Sequence, residues 1–335
     1  MSARDLTRLP KAHLHLHFTG SMRRETLQEL AEAQRLRLPP ALMDQTALKV
    51  EPTARGWFRF QRLYDTARQV VRSEATMRRL LREAALDDLA EGSVRLELQI
   101  DPTSYAPFVG GITPAIEIIT DEARAIESEL GISLGIIIAA SRMRHPLDAR
   151  TLARLAVRHR GTVVGFGLSN DERRGDTRDF APAFRIARDG GLAAMPHGGE
   201  LLGPHHVSDV VDSLHPERLG HGVRAGEDPA LLAHIIERGI ALEVCPASNV
   251  ALGVYPTLDE VPLPALVRAG AEIALGADDP LLFGSRLTAQ YETARHLGLG
   301  DAEIAGLAAS SIRASRMDEA AKATHLAAIA DWLED

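Results

Sequence analysis

Short β-type runs that alternate with longer helical patterns constrain the fold of this chain more tightly than anything else in it. Eight such runs occur in order: HLHLH (13–17), VRLELQI (94–100), ISLGIIIAA (132–140), TVVGFGLS (162–169), GLAAMPH (191–197), RLGHG (218–222), IALEVCP (240–246) and EIALGAD (272–278). Within VRLELQI, Val94, Leu96, Leu98 and Ile100 alternate with polar residues, the period of a strand. Just before it, residues 77–92 set Leu81, Ala85 and Leu89 four apart and stop at Gly92, the pattern of a helix with a glycine end. Strands that alternate with helices run parallel and are joined by crossover helices. Eight units predict an α/β fold, a closed (β/α)8 TIM barrel, with a doubly wound sheet as the alternative. The interval from 21 to 90 is too long for one crossover. It predicts extra helices after strand 1 that cover the C-terminal mouth, GWFRFQRLYDTARQVV (56–71) among them.

A chain of 335 residues can bury the core such a barrel needs, and a single domain over 1–335 is expected. Its net charge of −8, with 45% hydrophobic and 25% charged residues, offers no basic surface for nucleic acid. No run is apolar for long enough to span a bilayer, and MSARDLTRLPKAHL lacks the apolar stretch of a secretory signal. The one cysteine, Cys245, excludes an internal disulfide and suits a reducing compartment. A cytoplasmic protein acting on a small molecule, with neither nucleic acid nor membrane as partner, is the expectation. Composition is silent on oligomeric state.

Residues capable of chemistry gather at the carboxyl ends of the expected strands: His15 and His17, Asp101, Asn170 and Asp171, His197 and Glu200, His221, and Asp278 with Asp279. Barrel enzymes build their sites on that face. His15 and His17, two apart on a strand, point the same way and can hold one ion, although the pair alone reads equally well as two buried histidines. His13 shares the alternation, but three ligands in a line span roughly 13 Å at ~3.3 Å per residue, so His13 is expected to be structural. In HGGE, His197 offers a third nitrogen, two glycines permit a sharp turn, and Glu200 reaches the same cavity without being a ligand. Alone, that motif is also a common glycine-rich turn. Adjacent ionised carboxylates repel, so the Asp278–Asp279 pair in ALGADDP asks for a cation or a proton. Three imidazoles and Asp278, with room for water, make a zinc shell of the catalytic type. His221 in RLGHG is placed to orient or deprotonate that water.

HLHLHFTGS, GLSNDE, MPHGGE, RLGHG, EVCPASN and ALGADDP stand in the order and approximate spacing of the adenosine deaminase family of the amidohydrolase superfamily, which this chain resembles over essentially its whole length. The resemblance implies one Zn2+ per chain on His15, His17, His197 and Asp278, with Ser248 supporting the site from behind. It implies catalytic roles for Glu200, which would protonate the purine N1, and for His221, which would act on the water. It also implies substrate contacts by Asp279 at N7, by the backbone around Asn170 at N3, and by His17 and residue 19. The expected partner is a small purine nucleoside, deaminated at the adenine ring.

Two departures bear on the substrate. Family members that use free adenosine carry HxHxDG, whose aspartate receives the ribose 5′-hydroxyl, and members that use free adenine tend to carry glutamate there. This chain has Thr19 in HFTGS, which leaves room beyond the 5′ carbon. Asn170 stands where glycine is common, and asparagine tolerates unusual backbone angles. A 5′-substituted adenosine is therefore expected, such as aminodeoxyfutalosine, methylthioadenosine or S-adenosylhomocysteine, with Trp57, Phe58, Phe60 and Tyr64 covering the substituent or simply packing their helix. Plain adenosine, free adenine and another mononuclear amidohydrolase substrate are the alternatives. Dinuclear relatives use a carboxylated lysine on the fourth strand, and GFGLSN contains none. His205 and His206 read as solvated loop residues.

Overall fold

Eight parallel strands pair in chain order, from β1 to β8. They are β1 (Lys11–His17), β2 (Ser93–Ile100), β3 (Ser133–Ser141), β4 (Val163–Ser169), β5 (Ala193–Gly198), β6 (Arg218–His221), β7 (Ala241–Val244) and β8 (Ile273–Leu275). The computed structural model describes residues 4–44 and 47–334. The seam between β8 and β1 closes just beyond β8, where His17 N donates to Asp278 O at 3.0 Å and Asp278 N donates to His15 O at 3.1 Å. The result is a (β/α)8 barrel rather than an open doubly wound sheet. Among the described residues no helix is long and apolar enough to cross a membrane.

The last strands are shorter than their apolar runs suggested, for local reasons. Pro246 starts a helix immediately after β7. At Gly276 a Cβ would lie 2.6 Å from His15 Cβ, so only glycine allows the chain leaving β8 to pass this close to β1. The expected helix over 77–92 spans Glu74–Ala90, capped by Ser73, whose hydroxyl accepts from Thr76 N at 3.2 Å. Between β1 and β2 the extra helices are present: Arg24–Ala33, Pro40–Met43 and Ala54–Arg68 precede the crossover helix Glu74–Ala90. Ala54–Arg68 contributes side chains to the cavity at the carboxyl ends of the strands, so it covers the mouth.

Strands and surrounding helices share one large apolar core, while Ile137, Ala193 and Met195 form a small separate cluster. A row of polar side chains crosses the barrel interior from β2 through β6 and β7 to β1. Arg95 and Glu97 of β2 pair at 3.0 Å, Glu97 meets Arg218 of β6 at 2.7 Å, and Arg218 meets Glu243 of β7 at 2.6 Å. Glu243 then accepts from His15 Nδ1 at 2.7 Å. Every charge in this row has a partner of opposite sign, which is the condition for burying charges at all.

Candidate active site

The row of charges ends at a cluster of imidazoles. His15 and His17 come from β1, His197 from β5 and His221 from β6, with Asp278 following β8. His17 Nε2 lies 3.1 Å from Asp278 Oδ1, and His197 Nε2 lies 3.2 Å from His17 Nε2. With Nδ1 committed to Glu243, His15 turns its Nε2 into the cluster, where this buried atom has no hydrogen-bond partner and lies 3.5 Å from Asp278 Oδ1. Gly220 makes the approach possible, since a Cβ there would meet both His15 and His197 at 3.0 Å. His15, His17 and Asp278 offer ligand atoms within 4.8 Å of one another, as do His15, His197 and His221. Three imidazole nitrogens and one carboxylate fit a divalent transition metal in a tetrahedral or five-coordinate site. Ser248 Oγ donates to Asp278 Oδ2 at 2.6 Å, holding that carboxylate from behind.

Three of these turns depend on left-handed backbone at residues other than glycine. Asn170, His221 and Asp278 have φ of 81°, 63° and 60°, each at the carboxyl end of a strand. Such conformations cost of order 1–3 kcal/mol and concentrate where side chains must be aimed. Asn170 thus keeps the turn that glycine would allow, as its tolerance of unusual angles predicts. Its Oδ1 accepts from Asp171 N at 2.8 Å.

Burial sets the electrostatics. It raises the Glu200 carboxyl well above the usual carboxylate range, helped by the negative charges of Asp278 and Glu172. Asp279 is pushed up likewise, by burial first and then by Asp278. Burial pulls the His221 imidazole down to about 3, so its ring is neutral at physiological pH. His221 Nε2 lies 3.6 Å from Glu200 Oε1 and 4.0 Å from Asp278 Oδ2. Two carboxyls biased towards their protonated forms and a neutral imidazole therefore surround the cluster.

The cluster abuts a cavity of about 660 Å³ that His17, Asn170, His197, Glu200, Asp278 and Asp279 line, while His15 and His221 are buried behind that wall. Phe58 lines its outer wall together with Trp57 and Phe60, whereas Tyr64 lies deeper, beside Thr19 and Asp279. They are not equivalent: Phe60 stacks on Phe283 with ring centres 5.5 Å apart, whereas Phe58 is 61% exposed. Arg68, Arg144 and Arg174 share that outer wall. Arg68 is taken up by Asp65 and by Ser104 Oγ. Arg144 has only a 4.0 Å approach to Asp101, and the Arg174 guanidinium has no carboxylate partner among the described residues.

Thr19 is placed differently from expectation. It is fully buried and off the cavity wall, its Oγ1 2.6 Å from the Tyr105 hydroxyl. Tyr105 lines the cavity instead, so the space beside residue 19 is bounded by a phenol rather than left open. His13 stays out of the cluster: its Nδ1 pairs with Asp88 at 2.9 Å, and its Nε2 accepts from Ala277 N at 3.0 Å. A register shift between His13 and Leu16 separates it from its two neighbours. His205 and His206 open the helix Pro204–Leu214 rather than a loop, with His205 exposed and His206 half-buried.

Four contributing residues escaped sequence reasoning. Glu243 had a visible signal, a carboxylate in the middle of an apolar strand. Tyr105, Arg142 and Glu172 lie in or beside the loops after β2, β3 and β4, where the sequence gives no periodicity to place a side chain. β4 itself, VVGFGLS, carries no lysine.

A family model described as Adenosine deaminase matches residues 10–332. A Streptomyces virginiae protein named as an adenosine/adenine deaminase is 61% identical, over 99% of this chain and 98% of its own. Among solved structures, an adenine deaminase from Arthrobacter aurescens superposes with a TM-score of 0.89 at 26% identity, covering 98% of this chain and 100% of that one. An amidohydrolase from Burkholderia ambifaria, solved with bound Zn, gives a TM-score of 0.87 at 25% identity, over 98% of this chain and 92% of that one.

Proposed function

Because this chain belongs to the adenosine deaminase family, and so to hydrolases of C–N bonds, we propose that it removes the exocyclic amine of a 5′-substituted adenosine, with one zinc ion per chain. The observation that carries the reading is the convergence of His17, His197, Asp278, Glu200 and Asp279 on the wall of one cavity, with His15 and His221 buried directly behind them. A zinc ion on the three imidazoles and Asp278 would supply a water acidified towards neutrality.

The chain's own groups then account for the proton transfers. N1 and N7 of adenine are acceptors, so each needs a partner that carries a proton. Glu200 gives its proton to N1 as the water oxygen bonds to C6, and His221 takes the proton that water loses. Asp279 donates to N7 and holds the ring in place. When the C6–N bond breaks, the amine takes the proton from His221 and leaves as ammonia. The hydroxyl proton on C6 returns to Glu200, and the oxo purine keeps its proton on N1. Both groups end in their starting state.

The 5′ substituent is supported by the outer cavity. A volume of about 660 Å³ suits a ligand larger than a purine base, and an exposed aromatic on the same cavity as Arg144 and Arg174, neither held by a close carboxylate among the described residues, suits a flat or anionic extension. Aminodeoxyfutalosine fits that description best of the candidates. Free adenine is the second reading, favoured by the name of the Arthrobacter aurescens neighbour. The lone buried thiol of Cys245 suits a reducing cytoplasm, where we place the reaction. Ammonia release from adenine, adenosine and 5′-substituted adenosines, compared as kcat/KM, tests the proposal. A clear preference for free adenine or adenosine would remove the 5′ substituent from it.

A further inference from the structure

Glu172 is a buried carboxylate that the proton transfers above do not use. It is 2% exposed and off the cavity wall. Its two oxygens accept from three consecutive backbone amides: Glu200 N at 3.1 Å, Leu201 N at 2.8 Å and Leu202 N at 2.8 Å. These amides belong to the sharp turn after His197, where Gly199 has φ of 79° and a Cβ would meet Val207 at 2.6 Å. The other side of the same turn is held by Arg142, also buried, which donates to His197 O at 2.9 Å and to Thr177 Oγ1 at 2.9 Å. The turn is thus gripped on both sides of its glycines by side chains from the loops after β3 and β4.

We propose that Glu172 is a positioning residue for Glu200, fixing that carboxyl at the substrate by binding the amides of its turn. The inference rests on the deaminase reading above for its catalytic consequence, but not for its structural one. Without that acceptor the amides, one buried and two part-buried, would be left unsatisfied, so the turn would rearrange to find water. A shift of about 1 Å at a catalytic group costs on the order of 100-fold in rate. The loop that carries Glu172 also carries Asn170, which lines the cavity two residues earlier. Substrate contact and acid placement therefore share one short segment.

The test compares Glu172→Ala, Glu172→Gln and Glu200→Ala, alone and combined, in the full chain. Glu172→Ala should lower kcat on the order of 100-fold while KM changes by less than about 3-fold and bound metal is retained. Glu172→Gln keeps one acceptor oxygen and should recover about 10-fold of that loss. Added to Glu200→Ala, Glu172→Ala should cost nothing further, since it acts through Glu200. Hydrogen exchange at the amides of Glu200, Leu201 and Leu202 should quicken by about 10-fold or more in Glu172→Ala, whatever the substrate. Unchanged exchange and unchanged kcat in a folded variant would overturn the proposal, as would a further loss on the Glu200→Ala background. If Glu172→Ala fails to fold, the same comparisons are read from Glu172→Gln. Faster exchange in a protein that deaminates no adenine compound would instead leave the positioning intact and refute the deaminase reading.

Discussion

The proposed chemistry asks two carboxyl groups to carry protons at neutral pH, and burial among other negative charges gives Glu200 and Asp279 the reason to do so. Replacing Glu200 by glutamine keeps its shape and removes the transferable proton. A loss of 100- to 10,000-fold or so in kcat, with metal content unchanged, is the expected outcome by steady-state kinetics and metal analysis. On the proposed reading, selectivity is set beside Thr19. Its hydroxyl faces Tyr105, so Thr19→Asp would set a carboxylate against that phenol, at the position where the family places its 5′-hydroxyl acceptor. The ratio of kcat/KM for adenosine over a 5′-substituted adenosine should rise by about 10-fold, the worth of one hydrogen bond of about 1.4 kcal/mol. An unmoved ratio would mean that Tyr105, not residue 19, decides what binds there. Residue types and strand ends were enough to nominate the imidazoles, Glu200 and Asp278. They did not reveal that Thr19 is screened by a phenol from another loop, because side-chain pairing across loops leaves no mark in either stretch alone.

Among the elements, the helix Ala54–Arg68 and the interior charge row make separate predictions. Phe58 is exposed on the cavity's outer wall, so Phe58→Ala should leave the unfolding temperature unchanged. If a 5′ group rests there, kcat/KM for the substituted substrate should fall while that for adenosine does not. Deeper in the barrel, burial alone would raise the Glu97 carboxyl, but Arg218 and Arg95 outweigh it and lower it from 4.5 to about 2. A carboxylate with a depressed folded value stabilises the fold fully above its unfolded value and loses that contribution as pH falls through the folded one. About 3 kcal/mol should therefore vanish between pH 4.5 and 2. Denaturant unfolding across that window should show a shallower decline in Glu97→Gln than in the parent chain. The eight strands themselves were legible from alternation, since apolar runs between helices leave few other arrangements. The seam was not: pairing of Leu16 with Asp278 joins residues from opposite ends of the chain, and it depends on the missing side chain at Gly276 and the left-handed backbone at Asp278. The strand rise was enough to set His13 apart from His15 and His17, and a register shift within β1 accompanies that separation.

In the whole molecule the proposed metal site stitches β1, β5 and the seam after β8 into one unit. A ligand that binds only the folded chain stabilises it by mass action, about 4 kcal/mol at a concentration 1,000 times its Kd. Chelation should thus lower the unfolding temperature by several degrees, and added Zn2+ should restore it. An unchanged transition on verified metal removal would place the metal elsewhere. The central claim, hydrolytic deamination with Glu200 as the proton donor, has one most direct measurement: ammonia released per adenine compound consumed, by the metal-loaded chain and by its Glu200→Ala variant side by side. The account predicts one ammonia for each ring converted to the oxo purine, fastest on a 5′-substituted adenosine, and nearly none from the variant. Equal turnover by the variant, or no ammonia from any adenine compound, would contradict it.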